Sequence, residues 1–249
     1  MIKFFRNIRK KLLEQGKTAN YLKYAIGEII LVVIGILIAL QINNWNEKRK
    51  SQANLSSIYK QIHTELITDT LRAKQNVSLY NEQTKRIQDI LDGKINKTFY
   101  DTITSSNYKD CKICGSDVTY LNPNALYTKG YLLLKNTNTQ TEAQRDSLPD
   151  MIDNLYSEYV DAFRGDNQNV TNLVLENAKD YEAYSWYVDW AEKRFNKDFI
   201  TYLFESEDYK KKLATYKVYV IKNQQRRVES FLEEARNVLP LIDNRIKNK

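Results

Sequence analysis

Residues 25–42 read AIGEIILVVIGILIALQI, apolar except for Glu28 and Gln41. At about 1.5 Å per helical residue, 18–20 residues cover roughly 27–30 Å, the hydrocarbon thickness of a bilayer. A buried core helix of this length carries a polar face, and this run has almost none. The pattern then changes. From Asn54 to Asp92, Leu55, Tyr59, Ile62, Leu66, Ala73, Val77, Tyr80, Ile87 and Leu91 recur at helical spacing, and neither Gly nor Pro intervenes before Gly93. This predicts one helix from Tyr24 to about Leu91 that crosses a membrane in its first part and is amphipathic in its second.

Further along, residues 93–120 are polar and read as a loop excursion, with Cys111-Lys-Ile-Cys114 in a turn. Pro123 suits the first position of a short helix that Gly130 would end. Thr141 to Phe163 reads as a helix with Leu148, Ile152, Leu155, Tyr159 and Phe163 on one face, kinked or restarted at Pro149. Arg164-Gly165-Asp166 reads as a break. A second helix, Asn167 to Phe195, carries Tyr181, Tyr184, Trp186, Tyr187 and Trp190. Residues 199–204 form a short apolar helix. Ser206 caps a helix from Tyr209 to about Val238, with Leu213, Tyr216, Val220, Val228, Phe231 and Leu232 inward and Pro240 at its end. Gly and Pro, at 7 and 3, are scarce. The expected fold is all-α: a transmembrane helix continuing into a long helix, packed in an extracytoplasmic antiparallel helical bundle. The domains are a cytoplasmic basic segment (1–23), the span (24–42) and a helical domain (43–249).

Charge sharpens the membrane reading. The net charge of +7 suggests a nucleic-acid binder until its distribution is read. Residues 1–50 carry ten basic and three acidic side chains, and the remaining 199 carry 28 of each. The excess flanks the apolar run, which excludes a basic face for nucleic acid and places the chain's start in the cytoplasm. Trp45 follows the run at the position of an interfacial indole. Ile2, Phe5, Ile8 and Leu12 recur at helical spacing among Lys and Arg, the pattern of a helix lying on the inner leaflet. Bulky, charged QINNWNEKRK follows the run where a signal peptide would show small residues, so the segment reads as an uncleaved anchor.

Candidate chemistry is sparse. Glu28, Val32, Gly35, Ala39 and Ile42 share one helical face, and Gly35-x-x-x-Ala39 permits close approach of a second helix. This is a candidate oligomer face; the competing reading is a plain anchor whose Glu28 reaches the headgroups. The single histidine, His63, has no catalytic motif beside it, and no phosphate-cradling glycine loop is present. The expectation is therefore no enzyme, no cofactor and no metal. For Cys111 and Cys114 a disulfide in an oxidising compartment leads. A redox pair would need a βαβ setting, and a zinc site would need ligands from a second chain. The aromatic set Tyr181 to Trp190 reads first as core and second as a ligand groove.

The segment YAIGEIILVVIGILIALQINNWNE, with MIKFFRNIRKKLL before it, closely resembles an uncharacterised family of single-span envelope proteins abundant in flavobacteria and their relatives. ALYTKGYLLLKN resembles the short helix and turn that precede a tyrosine-rich helix in that family. The resemblance implies a bacterial inner membrane with the helical domain in the periplasm, and it implies no reaction. Such bacteria attach O-glycans at Asp-(Ser/Thr)-aliphatic tripeptides of exported proteins, which makes Thr70, Thr102 and Ser147 candidate acceptors. The expected function is a non-enzymatic, membrane-anchored periplasmic protein that self-associates or scaffolds an envelope complex. The alternative is a ligand sensor or accessory subunit using the aromatic groove. The partners expected are the lipid bilayer and a second copy or an envelope protein.

Overall fold

The computed structural model describes residues 6, 7, 10, 18–137 and 147–247. Ile2, Phe5, Ile8 and Leu12 of the expected surface helix lie outside them, as does the start of the helix expected from Thr141. The chain divides into two compact units, Met1–Leu55 and Ser56–Lys249. Among the described residues every regular element is helical.

Helix α1 runs Thr18–Leu91, as its unbroken pattern predicts. In the first unit it exposes its apolar side chains: Ile29, Leu31, Val32, Ile36, Leu37 and Ile38 are all more than half exposed. It is long and apolar enough to cross a membrane, and none of its most apolar window is buried. In the second unit the same helix has a core face: Ile58, Tyr59, Ile62, Leu66, Tyr80, Ile87 and Ile90 are buried. Its end is set by Gly93, whose positive φ of 67° lets Gly93 N–H reach Ile90 O and Lys94 N–H reach Asp89 O. This satisfies the last carbonyls in a Schellman turn.

The excursion at 93–120 holds a short α2 (Lys97–Tyr100) and three single 3₁₀ turns. Pro123 starts no helix. Residues 121–128 are irregular, and α3 is Lys129–Lys135, with Gly130 inside its first turn. The reason is proximity: a Cβ on Gly130 would stand 2.8 Å from both Ile62 N and Ile62 Cγ1. This glycine admits α3 to the surface of α1; it does not stop a helix.

Helix α4 is Leu148–Asp180, with Pro149 in its first turn, where the missing N–H costs nothing. It passes straight through Arg164-Gly165-Asp166. Burial of Tyr159, Phe163 and Val170 on its inner face outweighs the roughly 1 kcal/mol that one helical glycine costs. Asp166 also accepts from Arg227 Nε at 2.6 Å. The aromatic stretch is correspondingly not a helix to Phe195. It is a 3₁₀ turn, Tyr181–Ala183, followed by the short α5, Tyr187–Ala191.

Helix α6 (Lys197–Glu205) buries Phe199, Ile200, Tyr202, Leu203 and Phe204. Ser206 Oγ accepts from Tyr209 N–H at 3.4 Å and opens α7 (Glu207–Tyr216). A π segment, Lys217–Lys222, joins α7 to α8 (Asn223–Lys247), and Pro240 is accommodated inside α8 on an exposed position. The π segment turns adjacent Val220 and Ile221 both inward and resets the register so that Gln224, Val228 and Phe231 follow. Helix α4 packs on α8, where Phe163 and Tyr159 meet Phe231 edge-on with ring centroids 5.9 and 5.5 Å apart.

Candidate functional site

Two positions in the core stripe of α1 are acidic. Glu65 and Asp69 lie one turn apart and are both buried. Each accepts a backbone N–H from the segment that enters α3: Glu65 Oε2 from Gly130 at 2.9 Å, Asp69 Oδ2 from Tyr127 at 2.9 Å. Glu65 thereby caps the first turn of α3 from outside, since the first N–H groups of a helix have no internal acceptor. Asp69 also pairs with Arg72, whose guanidinium reaches Ala125 O at 2.9 Å and lies over the Tyr127 ring. Burial pushes the Asp69 carboxyl above its usual value, against the pull of the Tyr127 N–H and Arg72. The Tyr156 hydroxyl is buried, with no hydrogen-bond partner among the described residues. Burial, with Asp69 and Glu65 nearby, raises its pKa.

Above this pair the seam becomes uncharged. Asn124 is held at every polar group. Its N–H donates to Asn167 Oδ1 at 3.0 Å and its carbonyl accepts from Asn167 Nδ2 at 2.6 Å. Its side chain accepts from Asn76 at 2.7 Å and donates to the Tyr80 hydroxyl at 2.8 Å. Tyr80 passes the chain on to Gln224 Oε1 at 2.7 Å, where it stops, because Gln224 Nε2 is buried with no partner among the described residues. Burial pushes the Tyr80 hydroxyl up to about 12. Residues of Asn122–Leu126 and α1, with Phe163 and Phe231 beneath them, line an open cleft of about 260 Å³.

The disulfide Cys111–Cys114 closes the turn before a third polar knot. Ser116 Oγ meets Tyr181 OH at 2.8 Å, Arg86 donates to Asp117 at 2.8 Å, and Asp117 N–H donates to Tyr209 OH at 3.2 Å. Asn177 donates to Val118 O at 2.9 Å and Tyr216 OH to Tyr120 O at 2.6 Å. An irregular strip of chain is thereby threaded among the helices, with backbone groups of Asp117, Val118 and Tyr120 taken by the helices' side chains.

Of the residues singled out from sequence, Glu28, Val32, Gly35 and Ala39 all lie on α1, and a Cβ on Gly35 would meet nothing within 4 Å. Tyr181, Tyr184, Trp186, Tyr187 and Trp190 converge, but on one another: Trp186 lies 4.7 Å from Tyr184 and 5.0 Å from Tyr181, and Tyr187 lies 5.7 Å from Trp190. Phe199 and Tyr202 close the cluster, and Tyr181 and Trp186 are buried. Thr102 and Ser147 are exposed, whereas Thr70 is buried and donates to Ile67 O at 2.8 Å. His63 faces Asp243 at 3.2 Å.

A family model matches residues 28–168, more than half of the chain. The chain belongs to DUF6090, a family of unknown function. The DUF6090 match takes in most of the apolar run, Glu65, Asp69, the cleft segment and Asn167, and stops short of Gln224 and Phe231. No curated protein and no solved structure matches the chain.

Sequence reasoning passed over Glu65, Asp69, Asn122 and Asn124. A signal existed: the apolar stripe of α1 steps from Leu66 to Ala73 across Asp69, so a carboxylate occupies a core position. The asparagines gave none, because Asn-Pro-Asn reads as a turn in any loop. Among the described residues no three His, Cys, Asp or Glu side chains gather as metal ligands.

Proposed function

We propose that the chain is a non-enzymatic, inner-membrane-anchored periplasmic protein that self-associates or scaffolds an envelope complex. The observation that carries this reading is the unburied apolar stretch of α1, bracketed by the whole basic excess of the sequence. In water such a surface would aggregate; in lipid it is the ordinary surface of an anchor. The flanking charge supports a cytoplasmic position for the first 23 residues and a periplasmic one for the helical unit, an antiparallel bundle in this reading. Its partners are the bilayer and a second copy or an envelope protein; nucleic acid is not one. No cofactor is part of this reading.

Self-association is assigned to the face of Glu28, Val32, Gly35 and Ala39. Gly35 offers backbone to a neighbouring helix at the close approach that small residues permit. Native mass spectrometry of the full chain from lipid nanodiscs tests this. The expected result is a defined oligomer that Gly35→Ile dissociates. A monomer at every concentration overturns self-association and leaves only scaffolding of a different protein. Thr102 and Ser147 remain proposed glycan acceptors on exposed positions, which intact mass of the native protein decides. The sensor alternative gains nothing from Tyr181 and Trp186, whose faces are occupied by their neighbours.

A further inference from the structure

We propose that the Cys111–Cys114 disulfide is a thiol–disulfide exchange site, opened at Cys111 by an external dithiol, and that it clips the strip beginning at Ser116 into the helices. The inference rests on the second unit alone and holds whichever compartment that unit faces. The chain is the substrate of this exchange, not its catalyst, so the βαβ setting of a redox enzyme is not required.

The two cysteines sit in different surroundings. Cys114 is buried, 1% exposed, whereas Cys111 is partly open to solvent. On either side of Cys111, Lys109, Asp110 and Lys112 are exposed. Two ammonium groups against one carboxylate favour the approach of an anionic thiolate. Exchange depends on which sulfur the thiolate can reach, and the Cys111 side offers the approach. The thiolate bonds to Cys111 Sγ, the S–S electron pair leaves on Cys114 Sγ, and that sulfur takes a proton. The second thiol of the reagent then displaces Cys111 Sγ, which takes a proton in turn. The chain gains two electrons and two protons, and the dithiol becomes a disulfide.

What the bond holds lies directly after it. Gly115 alone separates Cys114 from Ser116. Ser116 Oγ meets Tyr181 OH, and Asp117 joins Arg86 of α1 to Tyr209 of α7. With the disulfide open, the turn keeps two backbone bonds, Cys111 N–H to Tyr108 O at 3.2 Å and Cys114 N–H to Cys111 O at 3.0 Å. For so short a loop, chain entropy puts the lost constraint at roughly tenfold in the ratio of closed to open strip.

The full chain in lipid nanodiscs, without denaturant, is treated with dithiothreitol and then with N-ethylmaleimide. Mass spectrometry should show both cysteines labelled. By NMR, the Asp117 amide should exchange with deuterium roughly tenfold faster after reduction, since its hold on Tyr209 is loosened. In a second arm glutathione replaces dithiothreitol, and peptide mass should place the mixed disulfide on Cys111. Among single-cysteine variants, Cys111 in Cys114→Ser should react with the maleimide at least about tenfold faster than Cys114 in Cys111→Ser. The arms on the native protein decide the matter if either variant does not fold. A disulfide reduced only in urea, glutathione on Cys114, equal maleimide rates, or Asp117 exchange unchanged by reduction overturns the proposal.

Discussion

Helix α1 contains two halves that obey opposite rules. Between Ile26 and Ile42 its apolar side chains are exposed on all sides, and Gly35 has open space around it. Between Ile58 and Ile90 one apolar face is buried, and the polar residues on that face, Glu65, Asp69 and Gln83, are buried with it and bonded. One backbone geometry serves both. The difference lies in what surrounds the side chains. In the first half exposure is nearly the same at every position, so composition sets the apolar surface, and identity matters only on the face proposed to self-associate. In the second, each position meets a particular neighbour, so identity and register decide everything. Stability and membrane attachment should therefore be separable by mutation along a single helix.

The largest effects break this comparison or uphold it. Leu66→Ala, at a fully buried position, should destabilise the second unit by about 2–5 kcal/mol, as deletions of buried leucine methyls do. It should leave the fraction of protein resisting alkaline carbonate extraction unchanged. Ile34→Lys should do the reverse. A lysine near the middle of the span costs about 3 kcal/mol of insertion, and the urea midpoint of the second unit should stay in place. If Leu66→Ala also releases the protein from membranes, the two halves are not independent and the anchor reading of the first fails.

The glycines sharpen the same contrast at a smaller scale. Gly130→Ala places a methyl 2.8 Å from the Ile62 backbone nitrogen, which cannot swing aside as a side-chain tip can. The expected loss is about 1–3 kcal/mol, the usual cost of overpacking, read as a lower midpoint of urea unfolding. Gly35→Ala meets nothing within 4 Å and should leave that midpoint where it is. An equal loss at both positions would mean that the membrane half is packed as specifically as the core.

What was legible in the sequence follows this division. The span, its continuation to Leu91 and the inward positions of α7 and α8 come from periodicity, which one helix states about itself. The errors at Pro123, Gly130 and Arg164-Gly165-Asp166 share a cause. Local turn chemistry pointed to a break or a start, and packing between distant segments overruled it. Gly130 is set by Ile62, and the passage through Gly165 by the burial of Phe163 and by the Asp166–Arg227 pair. The polar seam was hidden for a related reason. Asn124 is held by Asn76, Tyr80 and Asn167, 43 to 48 residues away, and no spacing rule reaches that far.

The smallest effect tests the seam's electrostatics. Burial raises the Asp69 carboxyl pKa, so the folded chain holds that proton more tightly than the unfolded chain does. A raised carboxyl contributes stability that is fully present below the unfolded value, near pH 4, and is lost as pH rises through the folded value. Asp69→Asn keeps an oxygen for the Tyr127 N–H but cannot titrate. The stability of the native protein minus that of Asp69→Asn should therefore be greatest at low pH and decline as pH rises above about 4. Urea unfolding of both full-length proteins in micelles across that range measures it. A difference that grows with pH would mean that the Arg72 pair and the Tyr127 N–H outweigh burial. The carboxylate would then be a net support for the cleft wall. A declining difference makes it a cost accepted to hold the Tyr127–Gly130 entry into α3, since two buried oxygens on α1, those of Asp69 and Glu65, take the two N–H groups there.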